Sequence, residues 1–123
     1  MKHNPGFETL CEEARQTIGE VSVAEVKKSM DERSLPLFID VREDGEWSKD
    51  HIPEAIHIGR GILERDIETA VPDKSTPIIL YCGGGYRSAL AAESLLKMGY
   101  RQVLSMAGGY RAWKEAGYPL IKS

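Results

Sequence analysis

The sequence predicts an α/β fold, a mainly parallel sheet with helices on both faces. Two observations carry this. Five short strand-like runs alternate along the chain with runs of helical character, the pattern of a parallel sheet joined by helical crossovers. The runs 35–41 and 78–81 are apolar almost throughout instead of alternating, as strands covered on both faces require. A length of 123 residues suits one domain, expected to span 1–123, which would bury roughly two-thirds of its unfolded surface. Within it, residues 1–18 form an amphipathic helix ahead of the core.

That first helix follows from Phe7, Leu10, Ala14 and Ile18, which recur at helical spacing between charged residues. Cys11 borders this apolar stripe and reads as a small buried hydrophobe; a resolving thiol for Cys82 is the sharper alternative. Gly19-Glu20-Val21 is a short edge strand. Ser22 followed by Glu25 is a capping box, and Val23, Val26 and Met30 give the next helix its inner face. The second strand, 35–41, ends in Asp40 and Arg42. A short acidic helix from Glu43 to about Lys49 is anchored by Trp47, and His51-Ile52-Pro53 makes a turn.

Ala55–Ile58 is the third strand, closed by the loop Gly59-Arg60-Gly61. A helix begins at Ile62 and ends at Pro72 and Asp73. Ile78–Tyr81 is the fourth strand, and a helix from Ser88 to Met98 stops at Gly99, a left-handed cap. Residues 102–106 are the fifth strand. Tyr110–Glu115 is a last short helix with Trp113 facing inward, ended by Gly117 and Pro119.

A net charge of -3 and a pI near 5.6 argue against a general nucleic-acid binder. No apolar run is long enough for a membrane span, and no charged-then-apolar leader precedes the first helix. The two cysteines lie far apart and form no Cys-x-x-Cys pair, so reduced thiols in the cytoplasm are expected. Three histidines, none in ligand spacing with a cysteine, give no metal site, and no cofactor is expected.

The chemistry is concentrated in Cys82-Gly83-Gly84-Gly85-Tyr86-Arg87-Ser88, directly after the fourth strand. Glycines let the backbone turn tightly, and the following helix start aims several amides at one point. That point is occupied by a thiol, and the thiolate is the nucleophile. The helix dipole and the Arg87 charge are expected to favour it. A structural thiol at a strand end would need neither the glycines nor the arginine. A nucleotide-phosphate loop is not supported, because no Gly-Lys-Ser/Thr closes the turn. A thiolate so held can take a sulfur atom and keep it as a persulfide, which is covalent catalysis. Four residues separate Cys82 from Arg87. The loop of cysteine-based phosphatases is one residue longer, so this ring should suit sulfur better than a tetrahedral phosphate.

The chain resembles a single-domain rhodanese from Gly19 to Pro119. The resemblance rests on Phe38-Ile39-Asp40-Val41-Arg42, His51-Ile52-Pro53-Glu54-Ala55, the loop from Cys82 to Ser88, Gly108-Gly109 with Ala112-Trp113, and Gly117-Tyr118-Pro119. It implies a five-stranded, mainly parallel sheet in the order 1-5-4-2-3, with the loop at the carboxyl ends of the strands, where open α/β sheets place ligands. It also implies a sulfurtransferase, with the persulfide on Cys82 and the loop arginine at Arg87. The donor would be a small sulfur-containing anion, such as thiosulfate, or a persulfidated protein. The acceptor would be a thiol or cyanide. A non-catalytic interaction module and a Cys-based phosphatase or arsenate reductase on the same scaffold are the alternatives.

Gly83, Gly84, Gly85, Tyr86, Arg87 and Ser88 are the expected substrate-binding residues, with Arg60 reaching the same rim from its glycine-flanked loop. Asp40 and Arg42 read as an internal ion pair or loop anchor, and His51 as a turn-stabilising donor. The Tyr86 ring walls the pocket or meets a partner. Glu54 replaces a glycine common in the family, a change confined to a surface turn. Gly83 and Gly84 leave the loop front without cationic side chains, so thiosulfate recognition falls on Arg87, the backbone amides and Arg60.

Overall fold

The computed structural model describes residues 3–122. Its centre is a five-stranded sheet of β1 (Gly19–Val21), β2 (Leu37–Asp40), β4 (Ile56–His57), β5 (Ile78–Tyr81) and β6 (Val103–Met106). Their spatial order is β1-β6-β5-β2-β4 and every pairing is parallel. Counting only these strands in chain order gives 1-5-4-2-3, the expected arrangement. β5, the strand that leads to Cys82, is central, and all four of its residues are buried.

The period of a strand sends alternate side chains to opposite faces. Ile78, Leu80 and Cys82 face one core, where Leu63 and Ile67 of α4 (Leu63–Ala70) and Ala91 and Leu95 of α5 (Tyr86–Lys97) cover them. Ile79 and Tyr81 face the other, under Val26 and Met30 of α2 (Val23–Asp31) and Trp113 of α6 (Gly109–Glu115). Helices therefore cover both faces. α1 (Pro5–Arg15) lies outside these two layers and packs on α5.

Local signals act as expected at most ends. Ser22 and Glu25 exchange both capping-box bonds, at 3.1 and 3.0 Å. Gly99 ends α5 with φ of +103°. Glu54, in the turn after Pro53, holds φ of +70°, a left-handed conformation that glycine adopts most readily. α5 starts at Tyr86, two positions before Ser88, because Gly85 in the left-handed region serves as its N-cap.

A second, two-stranded antiparallel ribbon lies beyond these elements. β7 (Ile121–Lys122) pairs with β3 (Asp50–His51), which follows α3 (Asp44–Lys49). Two-residue strands carry too few positions for a period-2 pattern, so sequence reading leaves them as turn and tail.

Asp40 and Arg42 form the expected ion pair inside the protein, 0% and 2% exposed, with a 2.8 Å contact. Arg42 also donates to the Asp50 carbonyl at 2.7 Å and lies over the Tyr110 ring. One side chain thus ties β2, β3 and α6 together beneath the carboxyl ends of the sheet. Burial works against the Arg42 charge, but the Asp40 bonds outweigh it and hold its pKa above the usual value. His51 stacks flat on Trp47 at 3.7 Å, with Nδ1 3.4 Å from the Trp47 carbonyl, and the exposed segment after β2 is fastened by that pair.

Candidate active site

The loop after β5 turns back on itself around the sulfur of Cys82. The Gly85 amide donates to Cys82 Sγ at 3.1 Å, the kind of contact that a sulfur anion accepts well. Gly85 reaches this position with φ of +91°, and a side chain there would press on the Gly108 amide. On its inner side Sγ lies 3.5 Å from Ser88 Oγ, which is itself 2.8 Å from Ser105 Oγ. All three are buried. A hydroxyl rotor can receive a hydrogen bond from the thiol or donate one to the thiolate, so this pair serves either form.

The loop is also held from above. α6 begins at Gly109, and the amides of Tyr110 and Arg111 donate to the carbonyls of Cys82 and Gly83 at 2.8 and 2.9 Å. Gly109 has φ of +54°, and a Cβ on it would collide with the Cys82 carbonyl oxygen. Gly109 is therefore needed for backbone to meet backbone over the loop, while a Cβ on Gly108 would meet Ala112 of α6.

A cavity of about 320 Å³ opens onto the sulfur. Cys82, Gly83, Gly84, Tyr86 and Arg87 line it from the loop, and His3, Phe7, Glu46 and Arg111 from elsewhere. Gly85 and Ser88 are not part of its lining: the first supplies its amide, and the second supports the sulfur from within the core.

Two arginines expected to recognise substrate are engaged. Arg87 stands 3.4 Å from Glu46 and 3.7 Å from Glu43. Arg60 does not line the cavity. It pairs with Glu64 at 2.7 Å, one helical turn on, and contacts Ser94 of α5. Burial pushes the Glu64 carboxyl up, but its own backbone amide and Arg60 together hold it below the usual range. Arg60 therefore joins α4 to α5 instead of reaching the rim, a placement that its glycine-flanked loop does not betray. Arg111, for which the sequence gives only a place two residues after Gly108-Gly109, is on the cavity. Glu46 was also missed, although its spacing from Glu43 is that of a capping box. Phe7 belongs to the apolar stripe of the first helix and nothing in the sequence marks His3, so neither signals a site residue.

Cys11 is buried and its Sγ is 3.7 Å from the Tyr86 carbonyl. Burial pushes its thiol pKa up, with Cys82 adding to the shift and Arg15 opposing it. This is the environment of an inert thiol. Among the described residues, no group of three or more His, Cys, Asp or Glu could hold a metal ion, and no helix is long and apolar enough to cross a membrane.

A strand, a tight glycine loop closed on a cysteine, and a helix start at the carboxyl edge of a parallel sheet define a class of thiol-based sites. The family model for the rhodanese-like domain matches residues 22–116, and the chain belongs to that family. Its relatives include the thiosulfate sulfurtransferase PspE of Escherichia coli, 38% identical over 72% of this chain and 86% of that one. The thiosulfate sulfurtransferase GlpE of Coxiella burnetii is 33% identical over 63% of this chain and 71% of that one. Among solved structures, a Rhodopseudomonas palustris protein of unknown function, described as a possible tyrosine phosphatase, superposes with a TM-score of 0.85. It is 27% identical, and the match covers 98% of both chains. With these relatives, the chain is a rhodanese-type sulfurtransferase.

Proposed function

We propose that Cys82 carries sulfane sulfur as a persulfide between an anionic donor and a thiol acceptor. With thiosulfate, the Cys82 thiolate attacks the outer sulfur; the S–S bond of the donor breaks, sulfite leaves with the electron pair, and Cys82–S–S⁻ remains. A second thiolate then attacks the terminal sulfur, leaving as its own persulfide and returning Cys82 as thiolate. Each step conserves charge and needs no oxidant. The observation that carries the reading is the Gly85 amide directed at Sγ at the base of an open cavity. Gly83, Gly84, Tyr86 and Arg87 bind the donor in this reading, while Gly85 and Ser88 hold the sulfur. A protein persulfide can serve as donor in place of the small anion. Both cysteines are free, in keeping with work in the reducing cytoplasm.

Incubation with thiosulfate is expected to add the mass of one sulfur atom, removed again by cyanide. A Cys82→Ser variant that still gained this mass would overturn the assignment.

A phosphatase is the second reading, favoured by the Rhodopseudomonas palustris neighbour. The short ring from Cys82 to Arg87 and the pairing of Arg87 with Glu46 both speak against a phosphate dianion there. Turnover of an aryl phosphate, lost in Cys82→Ser, would restore it.

A further inference from the structure

The helix α1 lies before the segment that the family model matches, yet it touches the loop at every level. Arg15 donates to the Gly85 carbonyl at 3.3 Å, and its guanidinium sits over the Tyr86 ring at 4.7 Å. Cys11 contacts the Tyr86 carbonyl. Phe7 and Tyr86 pack with ring centroids 5.9 Å apart, and His3 meets both edge-on, at 5.0 and 4.3 Å. These three rings form one aromatic wall of the Cys82 cavity. The charges in the cavity are unevenly committed. Arg87 is balanced by Glu46 and Glu43, whereas the Arg111 guanidinium has no ion pair among the described residues.

An apolar wall and one uncommitted cation match a monoanion with an organic body better than a small, strongly hydrated dianion. A dianion would keep more charge than the site neutralises and would lose hydration against aromatic carbon. We propose that Phe7 and Tyr86 set donor specificity, favouring organic thiosulfonates (R–SO2–S⁻) over inorganic thiosulfate. Phe7 and Tyr86 take the organic group, and Arg111 anchors the anion. The step balances as before: the Cys82 thiolate attacks the terminal sulfur, the S–S bond of the donor breaks, and the sulfinate R–SO2⁻ leaves with the electron pair. This rests on the sulfur-transfer reading above.

The test compares kcat/KM for benzenethiosulfonate and thiosulfate, with cyanide as acceptor, alongside the intact mass of the charged enzyme. The wild type is expected to favour benzenethiosulfonate. Phe7→Ala should reduce the ratio of the two values by about 3- to 10-fold, the worth of one lost aromatic pairing, and Phe7→Tyr should restore it. Leu10→Ala, on the exposed side of the same helix, should keep the wild-type ratio and so controls for loosening of α1. Arg111→Gln should raise KM for both anions with kcat retained. A wild-type preference for thiosulfate, or a Phe7→Ala variant that shifts both donors by one factor, would overturn the proposal. Failure of both donors to charge Cys82 would instead sink sulfur transfer itself, and the specificity with it.

Discussion

The amide of Gly85 points at the sulfur of Cys82 from 3.1 Å, and only a left-handed backbone at Gly85 lets it do so. Gly85→Ala tests that relationship. The new methyl group would stand 3.0 Å from the Gly108 amide, at φ of +91°. A left-handed alanine costs about 1–2 kcal/mol, and relief of the contact must move the amide. Persulfide formation is expected to slow by about 10- to 100-fold, the range for small misplacements of reacting groups. Single-turnover mass spectrometry measures it. Gly61→Ala, where a methyl meets nothing within 4 Å, should behave as wild type. Wild-type charging by Gly85→Ala would remove the amide from the mechanism.

One residue before the nucleophile, Tyr81 is fully buried and its hydroxyl accepts the Ile52 amide at 3.1 Å. Burial, with the Asp40 charge behind it, raises the phenol pKa far above its usual value of 10.0. A raised folded-state pKa gives stability that is complete below the unfolded pKa and lost as pH climbs. Stability should therefore decline above pH 10, with this one group adding up to about 1.4 kcal/mol per pH unit. Tyr81→Phe should make that decline shallower; Tyr100 and Tyr110, also raised by burial, keep part of it. At neutral pH the same variant leaves the Ile52 amide unpaired, a cost of about 1–3 kcal/mol. Urea unfolding at a series of pH values reads both effects.

The Asp40–Arg42 pair invites a separate measurement. Arg42→Met leaves the Asp40 carboxylate buried without its partner, a loss expected to cost about 3–5 kcal/mol. Adding Asp40→Asn removes the stranded charge while keeping an oxygen for the Arg42 amide, now donating to Asp40 Oδ1 at 2.8 Å. The double variant should recover most of the loss in urea unfolding. A double variant no more stable than Arg42→Met would show that the pair acts through packing alone.

Much of this molecule is legible in its sequence because the signals are local. Ile78–Tyr81 announces a doubly covered strand, Ser22 and Glu25 a helix start, and Cys82 to Arg87 a tight loop around a thiol. What escapes is decided by partners distant in sequence. Arg60 sits between two glycines and Arg111 two residues after Gly108-Gly109, yet Glu64 and Ser94 draw the first away while α6 carries the second to the cavity. Phe7 fits a helix stripe perfectly well and still faces the site, because α1 packs against the start of α5 and the loop before it. The strands β3 and β7 are too short to leave a pattern at all.

Glu46 offers the most direct control over charge at the site. Its carboxylate accepts the Glu43 amide at 2.9 Å and stands 3.4 Å from Arg87. Glu46→Gln keeps a side-chain oxygen for the Glu43 amide, as capping boxes built on glutamine do, and removes only the charge. Arg87 then faces the cavity with less of its charge offset. Because both groups are partly exposed, solvent screening limits the gain to under about 1 kcal/mol, roughly a 2- to 5-fold fall in KM for thiosulfate. The fall should shrink as ionic strength rises and the Debye length contracts toward the size of the pair. Steady-state assays at low and high salt measure it. A KM for thiosulfate that does not move at low salt would mean that Arg87 meets the donor through geometry, and that its charge is not what Glu46 restrains.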